Sequence, residues 1–147
     1  MKKILVIGLI SSFFSAGAFA AACDGSGTNA NVTAPSSSTG PTGELCACNG
    51  GVAAKVLING GAGVAVATPV FVRTGFDMQC SANTIVSFNE VSGVAFAVAS
   101  GSKKGNKTFI GSSAGGGIAE SGTCATTGCT GANVTTANGL ATTASSS

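Results

Sequence analysis

Residues 76–99 read FDMQCSANTIVSFNEVSGVAFAVA, and this stretch decides the fold class of the chain. Alternate positions from Phe76 to Cys80 are apolar, and this period of two is typical of a strand with one buried face. A run rich in β-branched and aromatic residues, Thr84–Val91, predicts a second strand. Beyond Gly93, large and small apolar side chains alternate through Val94–Ala99. We therefore expect three consecutive strands separated by short connections.

Strand patterns continue on both sides of this stretch. Val52–Ile58 is rich in Val, Leu and Ile and stops at an Asn-Gly-Gly turn signal. Val64–Thr68 and Val70–Thr74 are further candidates, separated by Pro69, which favours a strand edge or a break. After a polar turn comes Lys107–Ile110, and no window carries a capped apolar stripe with helical spacing. The sequence predicts an all-β fold, a small antiparallel sandwich or barrel-like domain of six to seven short strands, stabilised by disulfides.

Large apolar residues are concentrated in one part of the chain. After Ala20, every Val, Ile, Leu, Met and Phe lies between Val52 and Ile118, with four exceptions. The flanking segments are too poor in such residues to offset the entropy of ordering them, so we expect flexible ends unless disulfides or a partner hold them. The predicted segments are a secretory signal peptide at 1–20, a Gly/Ser/Thr/Pro-rich leader at 21–51, a β core domain at 52–120 and a Thr/Ala/Gly/Ser-rich tail at 121–147.

The first twenty residues have the pattern of a secretory signal. Lys2 and Lys3 precede the apolar run Ile4–Phe14, and Ala18-Phe19-Ala20 fits the small-x-small rule for signal peptidase. The run is shorter than the about 20 residues that a membrane-spanning helix needs. We expect cleavage between Ala20 and Ala21 and export to the cell surface or the medium. An N-terminal anchor helix is the alternative.

Cleavage would remove the whole net charge. The chain has 7 basic and 5 acidic residues, a formal charge of +2. Two of the basic residues, Lys2 and Lys3, lie in the signal segment, so the mature chain is neutral. Such a surface provides little steering toward nucleic acid or anionic membranes, and near-zero net charge favours association. We expect a homo-oligomer or homopolymer, with other cell-surface components as further candidate partners, and neither nucleic acid nor a membrane as a partner of the mature form.

The amino-acid composition excludes most kinds of catalytic site. The chain has no His, Trp or Tyr, so Ser-His-Asp, Cys-His and His-metal sites are excluded. Asp77 and Glu90 would be the candidate carboxylate pair for glycoside hydrolysis, but nothing in their spacing favours that chemistry. We predict no catalytic residue, no cofactor and no metal site, and we expect that the chain is not an enzyme.

Six cysteines are the strongest chemical feature. In an oxidising compartment they indicate three disulfides, with 15 possible pairings. Zinc binding and a redox pair are alternatives, although neither the usual finger spacing nor Cys-x-x-Cys is present. Ala20–Cys23 distantly matches a lipobox without its Leu, and lipidation would leave an odd cysteine count. Cys46 and Cys48 would share one face of an extended strand, and Cys124 with Cys129 would close a small loop. The six are Cys23, Cys46, Cys48, Cys80, Cys124 and Cys129.

These features favour a structural role. The leading hypothesis is a secreted subunit of a bacterial extracellular assembly, a fimbria-like filament, sheath or matrix component, that associates through β-strand edges and terminal segments. Asn31–Thr33 and Asn133–Thr135 are too poor in apolar residues to act convincingly as donated strands. The alternative is a monomeric secreted binding module, an adhesin or inhibitor, on a disulfide-tied β scaffold.

Overall fold

A computed structural model describes residues 22–29, 32–33, 43–59 and 71–147. The predicted signal peptide with its cleavage position, and the predicted strand Val64–Thr68, lie outside the described residues. Eight strands and one helix follow one another along the described chain. They are β1 (Val32–Thr33), β2 (Glu44–Asn49), β3 (Ala54–Asn59), β4 (Phe76–Cys80), β5 (Thr84–Ser92), β6 (Ala95–Ser102), β7 (Lys107–Ser112), β8 (Ala119–Thr123) and α1 (Gly131–Ser145).

The strands form two sheets, and the all-β prediction is confirmed. The larger sheet has the order β2-β5-β6-β7-β8, and all its neighbouring strands are antiparallel. The smaller sheet has the order β1-β3-β4, in which β3 and β4 are antiparallel and the two-residue β1 runs parallel to β3. Short connections favour this antiparallel pairing of strands that are close in sequence.

The larger sheet has a different neighbour on each face. Because side chains alternate along a strand, Ile85 and Ser87 of β5 face α1, where Ile85 packs in a cluster with helix residues. Val86 and Phe88 point the other way, into a cluster shared with the smaller sheet. The larger sheet therefore lies between the helix on one side and the smaller sheet on the other.

The core between the two sheets draws on residues outside the predicted core segment. Strand β2 lies within the predicted leader, and it contributes three of the buried side chains. This strand escaped the sequence prediction because its pattern ELCACN contains only one large apolar residue. The buried members of this core are Leu45, Ala47, Cys48, Val56, Ile58, Val72, Cys80 and Phe88.

Five phenylalanines lie on strands that the sequence predicts, which favours core packing for all of them, but the structure divides them between the interior and the surface: Phe71, Phe76, Phe88, Phe96 and Phe109. Phe88 is buried, and its ring stacks on half-buried Phe96 with centroids 5.3 Å apart. Phe71 stacks on the other side of Phe96 at 5.0 Å but is more exposed. Phe76 and Phe109 are 49% and 42% exposed, so core packing is wrong for these two.

The predicted tail contains the helix α1, which the sequence analysis did not anticipate. The side chain of Thr130 caps its start, accepting a bond from the Asn133 N–H, while Asn133 accepts from the Thr130 N–H in return. The third helical residue of such a capping box is normally Glu or Gln. Asn133 occupies that position here, so the sequence does not show the usual signature of a helix start. The buried face is also small or polar, so no apolar stripe marks it: Gly131, Val134, Ala137, Asn138, Ala141 and Ser145.

Polar contacts and close packing attach this helix to the rest of the fold. The Asn138 side chain donates to the Ser87 hydroxyl at 3.1 Å, and both side chains are fully buried. At the helix start, a Cβ on Gly131 would lie 2.0 Å from the Cys23 carbonyl oxygen. Only glycine allows this close approach, which packs the N-terminal segment directly against the start of α1.

Candidate functional site

The six cysteines form three disulfides, as the sequence predicts, and no free cysteine remains among the described residues. The pairs are Cys23–Cys46, Cys48–Cys80 and Cys124–Cys129, which settles the pairing and includes the predicted small loop. Disulfides persist in oxidising environments such as the periplasm and the extracellular space. The fold is therefore suited to such a compartment.

Each disulfide holds a different part of the fold. Cys48–Cys80 joins the two sheets through their shared core, with both residues at most 1% exposed. Cys23–Cys46 attaches the N-terminal segment to β2, and because its sulfur is bonded, Cys23 has no thiol for lipidation. Cys124–Cys129 closes the turn before α1. Two of the disulfides thus stabilise the N-terminal segment and the turn before α1, which contain few large apolar side chains.

A β-bulge explains how neighbouring cysteines reach different partners. Cys46 pairs with Ser87 and Cys48 with Val86, so one extra residue, Ala47, interrupts the register. Cys46 consequently packs with the helix-side cluster, whereas Cys48 lies in the core between the sheets. The expectation that the two thiols share one face is wrong for this reason.

The two candidate carboxylates lie in different surroundings. Asp77 on β4 forms an exposed ion pair with Lys55 at 2.6 Å. Glu90 is 2% exposed, and its Oε1 accepts the Val72 N–H at 2.6 Å while its Oε2 has no partner among the described residues. Burial raises the pKa of Glu90, against a smaller opposing effect of the Val72 N–H. Their separate partners give no support to a shared catalytic role.

A polar cluster holds the N-terminal segment 22–29 to the end of β2. Asp24 accepts bonds from the Ser26 N–H and the Asn49 side chain, and these bonds lower the pKa of its carboxyl group. The Lys103 ammonium donates to the Gly25 carbonyl at 3.0 Å. Within the described ranges, no three Cys, Asp or Glu side chains are grouped as metal ligands would be. No helix described here is long and apolar enough to cross a bilayer.

Part of the larger sheet is exposed on the side opposite α1, where Phe109 is 42% exposed. We define the open face as the surface of β6 and β7 that points away from α1, formed by Val98, Ser100, Phe109 and Gly111. Its orientation follows from β7, where the neighbouring Ile110 packs on the helix side. Phe109 lies beside Ser100 on the paired strand, as Gly111 lies beside Val98. β4 is the last strand of the smaller sheet among the described residues, and its Phe76 and Met78 approach this surface at Val98.

An apolar cavity of about 110 Å³ marks the boundary between β4 and the open face. Phe76 and Met78 of β4 line one side of it, and Phe96 and Val98 of β6 line the other. The surface around it is rich in exposed apolar groups: Ile118, 83% exposed, lies beside Gly111. The cavity and the exposed apolar groups around it come together only because particular strands are neighbours, so alternation along a single strand could not predict this surface.

The charges near the open face are neutralised in pairs. Lys107 and Glu120 form an ion pair at 2.5 Å beyond Phe109, since β7 and β8 are neighbours there. Lys55 and Asp77 pair on the smaller sheet. The apolar part of the surface therefore has no unpaired charge among the residues that form it.

Comparisons with protein-family models, with curated proteins and with solved structures found no match for this chain.

Proposed function

We propose that this chain is a secreted structural subunit of a bacterial extracellular assembly, a fimbria-like filament, sheath or matrix component. The observation that carries the proposal is the open face with the edge of β4 beside it. Two half-exposed aromatic rings, Phe76 and Phe109, and the highly exposed Ile118 lie around it. Contiguous apolar surface rimmed by polar groups is typical of protein interaction sites.

The covalent framework and the charge support the same proposal. Three disulfides suit a protein that works outside the cytosol. They attach the N-terminal segment to β2, join the two sheets and close the turn before α1. A mature chain that begins at Ala21 would be neutral, so like-charge repulsion would not oppose contact between copies. We expect the role to be non-catalytic.

Electron microscopy of the protein and of the cells that make it tests this role. Negative staining of the oxidised, tag-free mature protein should show filaments or regular oligomers, and the cell surface should lose the corresponding structures when the gene is deleted. A surface that is unchanged by the deletion, together with featureless purified protein, would contradict the proposal.

A second candidate, a monomeric secreted binding module, draws support from a shallow groove at the other end of the open face. It has a volume of about 410 Å³ and combines the ring of Phe109 with the polar side chains of Ser100, Ser102 and Asn106. An apolar platform with a few polar groups is the usual composition of a ligand site. A strictly monomeric protein that keeps a bound ligand through purification would favour this candidate over the assembly subunit.

A further inference from the structure

We propose that residues 71–75, which we call the strap, are held against the fold by a protonated Glu90 and open when this carboxyl group ionises. The strap directly precedes β4 within a single subunit, so its opening does not depend on whether subunits assemble. Such a device makes the exposure of apolar surface beside β6 sensitive to pH.

Few contacts hold the strap in the described part of the chain. Residues 71–75 belong to no helix or strand, and within the described ranges they form no backbone–backbone hydrogen bond. Arg73, Thr74 and Gly75 are exposed. The strap is therefore attached through Phe71 and Val72. Segments with so few buried contacts are the ones that open locally while the rest of a fold stays intact.

Both attachment points lie at Glu90. The Val72 side chain packs in the core between the sheets, and its N–H donates to the Glu90 Oε1 at 2.6 Å. The Phe71 ring stacks on Phe96 at 5.0 Å, and Phe96 lies across from Glu90 on the paired strand β6. Release of the strap would therefore uncover one side of the Phe96 ring, which also lines the apolar cavity beside Val98.

The closed strap keeps the Glu90 carboxyl group in surroundings that disfavour its charge. Glu90 is 2% exposed, and its Oε2 has no hydrogen-bond partner among the described residues. Burial raises the pKa of this carboxyl, and the single bond from the Val72 N–H offsets only part of the effect. In the open state water reaches both oxygens, and the pKa returns toward its ordinary value of 4.5. Ionisation therefore favours opening, by about tenfold in the equilibrium constant for each unit between the two pKa values.

The charged groups on the elements packed around Glu90 do not compensate its charge. Strand β6 and helix α1 contain no ionisable side chain. On β2, Glu44 points to the α1 side of the larger sheet, whereas Glu90 faces the smaller sheet. In the smaller sheet, Lys55 and Asp77 form an exposed ion pair with each other. Arg73 of the strap is exposed to solvent, so Glu90 is the group whose titration acts on the strap.

Proteolysis at Arg73 measures the opening. Arg73 is the only arginine of the chain, and a protease must bind a detached, extended segment around the bond that it cleaves. When opening and closing are fast, the cleavage rate follows the open population. With an arginine-specific protease normalised on an unstructured peptide, cleavage of the oxidised wild-type protein should rise by about tenfold from about pH 5 to about pH 8. The Cys48–Cys80 disulfide spans the cleaved bond, so the fragments separate only after reduction.

Two controls assign this rise to Glu90 and to the strap. Glu90→Gln keeps an oxygen that accepts the Val72 N–H but cannot ionise, so cleavage at Arg73 should not change with pH in this variant. Cleavage after the exposed Lys104, in the turn at the opposite end of β6 from Phe96, should be constant in both proteins. A wild-type rate at Arg73 that is independent of pH, or an equal rise in Glu90→Gln or at Lys104, would overturn the inference.

A tryptophan in the strap replaces the variant at Glu90 if Glu90→Gln does not fold. The chain has no Trp, so the indole of Phe71→Trp reports on the contact with Phe96 alone. Its emission should move to longer wavelength as the pH rises over the same range, while the circular dichroism of the strands stays unchanged. An emission that does not move, or that moves only together with loss of the strand signal, would overturn the inference.

Discussion

Replacing Cys48 and Cys80 together by alanine should be the most damaging disulfide removal, because this bridge alone joins the two sheets covalently among the described residues. The bridged residues are 32 apart in sequence. Loop-closure entropy then gives a loss of about 3.7 kcal/mol in the free energy of unfolding at 25 °C. The Cys124–Cys129 bridge spans only 5 residues, and the same relation gives about 2 kcal/mol.

Urea unfolding measures this difference. The chain lacks Trp and Tyr, so far-ultraviolet circular dichroism is the suitable signal. With a slope near 1.2 kcal/mol per molar urea, the midpoint should fall by about 3 M for the double variant at Cys48 and Cys80. The matched double variant at Cys124 and Cys129 should lose about 1.7 M on the same slope. Both pairs are buried, so the loss of sulfur packing largely cancels in the comparison.

The critical result is which of the two double variants loses more stability. If the variant at Cys124 and Cys129 lost as much stability as the variant at Cys48 and Cys80, or more, the reasoning from loop length and sheet-to-sheet linkage would be refuted. A variant at Cys48 and Cys80 that is unfolded without urea agrees with the account only if the other variant still unfolds cooperatively.

Three further predictions concern single residues. Burial raises the pKa of Glu90 above its ordinary value of 4.5, so between the two pKa values the folded state holds a proton that the unfolded state releases. The stability of the wild-type protein should therefore fall as the pH rises through this range. Glu90→Gln should remove that part of the fall, and parallel pH profiles of the urea midpoints of the two proteins would contradict this. Gly131→Ala should destabilise the fold, because the new Cβ would meet the Cys23 carbonyl. Gly139 has open space around it, so Gly139→Ala should raise stability by about 0.5–1 kcal/mol. Equal effects of the two variants on the melting temperature would refute the packing argument. Thr130→Ala should cost about 1 kcal/mol of stability through loss of the helix cap. Thr130→Asp should retain most of the cap, and a Thr130→Ala variant that melts like the wild type would contradict the capping role.

The strands that could be predicted from sequence are those with large apolar residues. Phe76–Cys80 alternates clearly, and β4 has those bounds. The run through Ile85 and Phe88 became β5 because β-branched and aromatic side chains cover a face that the rest of the chain buries. The cysteine count also indicated three disulfides, because the predicted export and an even number leave little other use for six thiols.

The elements that escaped prediction share small or polar buried faces. Helix α1 packs through Ala137 and Asn138, which leave no apolar stripe in the sequence. Its stability comes from tertiary contacts, such as the Asn138 bond to Ser87, that local patterns do not contain. Strand β8, Ala119–Thr123, has no large apolar residue and is held by pairing with β7. The open face escaped prediction for a related reason, since its residues come together only when β6 and β7 pair.

Sedimentation velocity of the oxidised, tag-free mature protein over a wide concentration range tests the central claim most directly. If copies join through the apolar open face, whose nearby charges are paired, species heavier than the monomer should grow with concentration at both low and high salt. They should disappear in Val98→Lys, which places a charge on the open face, and persist in the matched control Leu140→Lys, because Leu140 is 51% exposed but lies on α1. A single monomeric species at every concentration, or assembly that Val98→Lys leaves unchanged, would contradict the account.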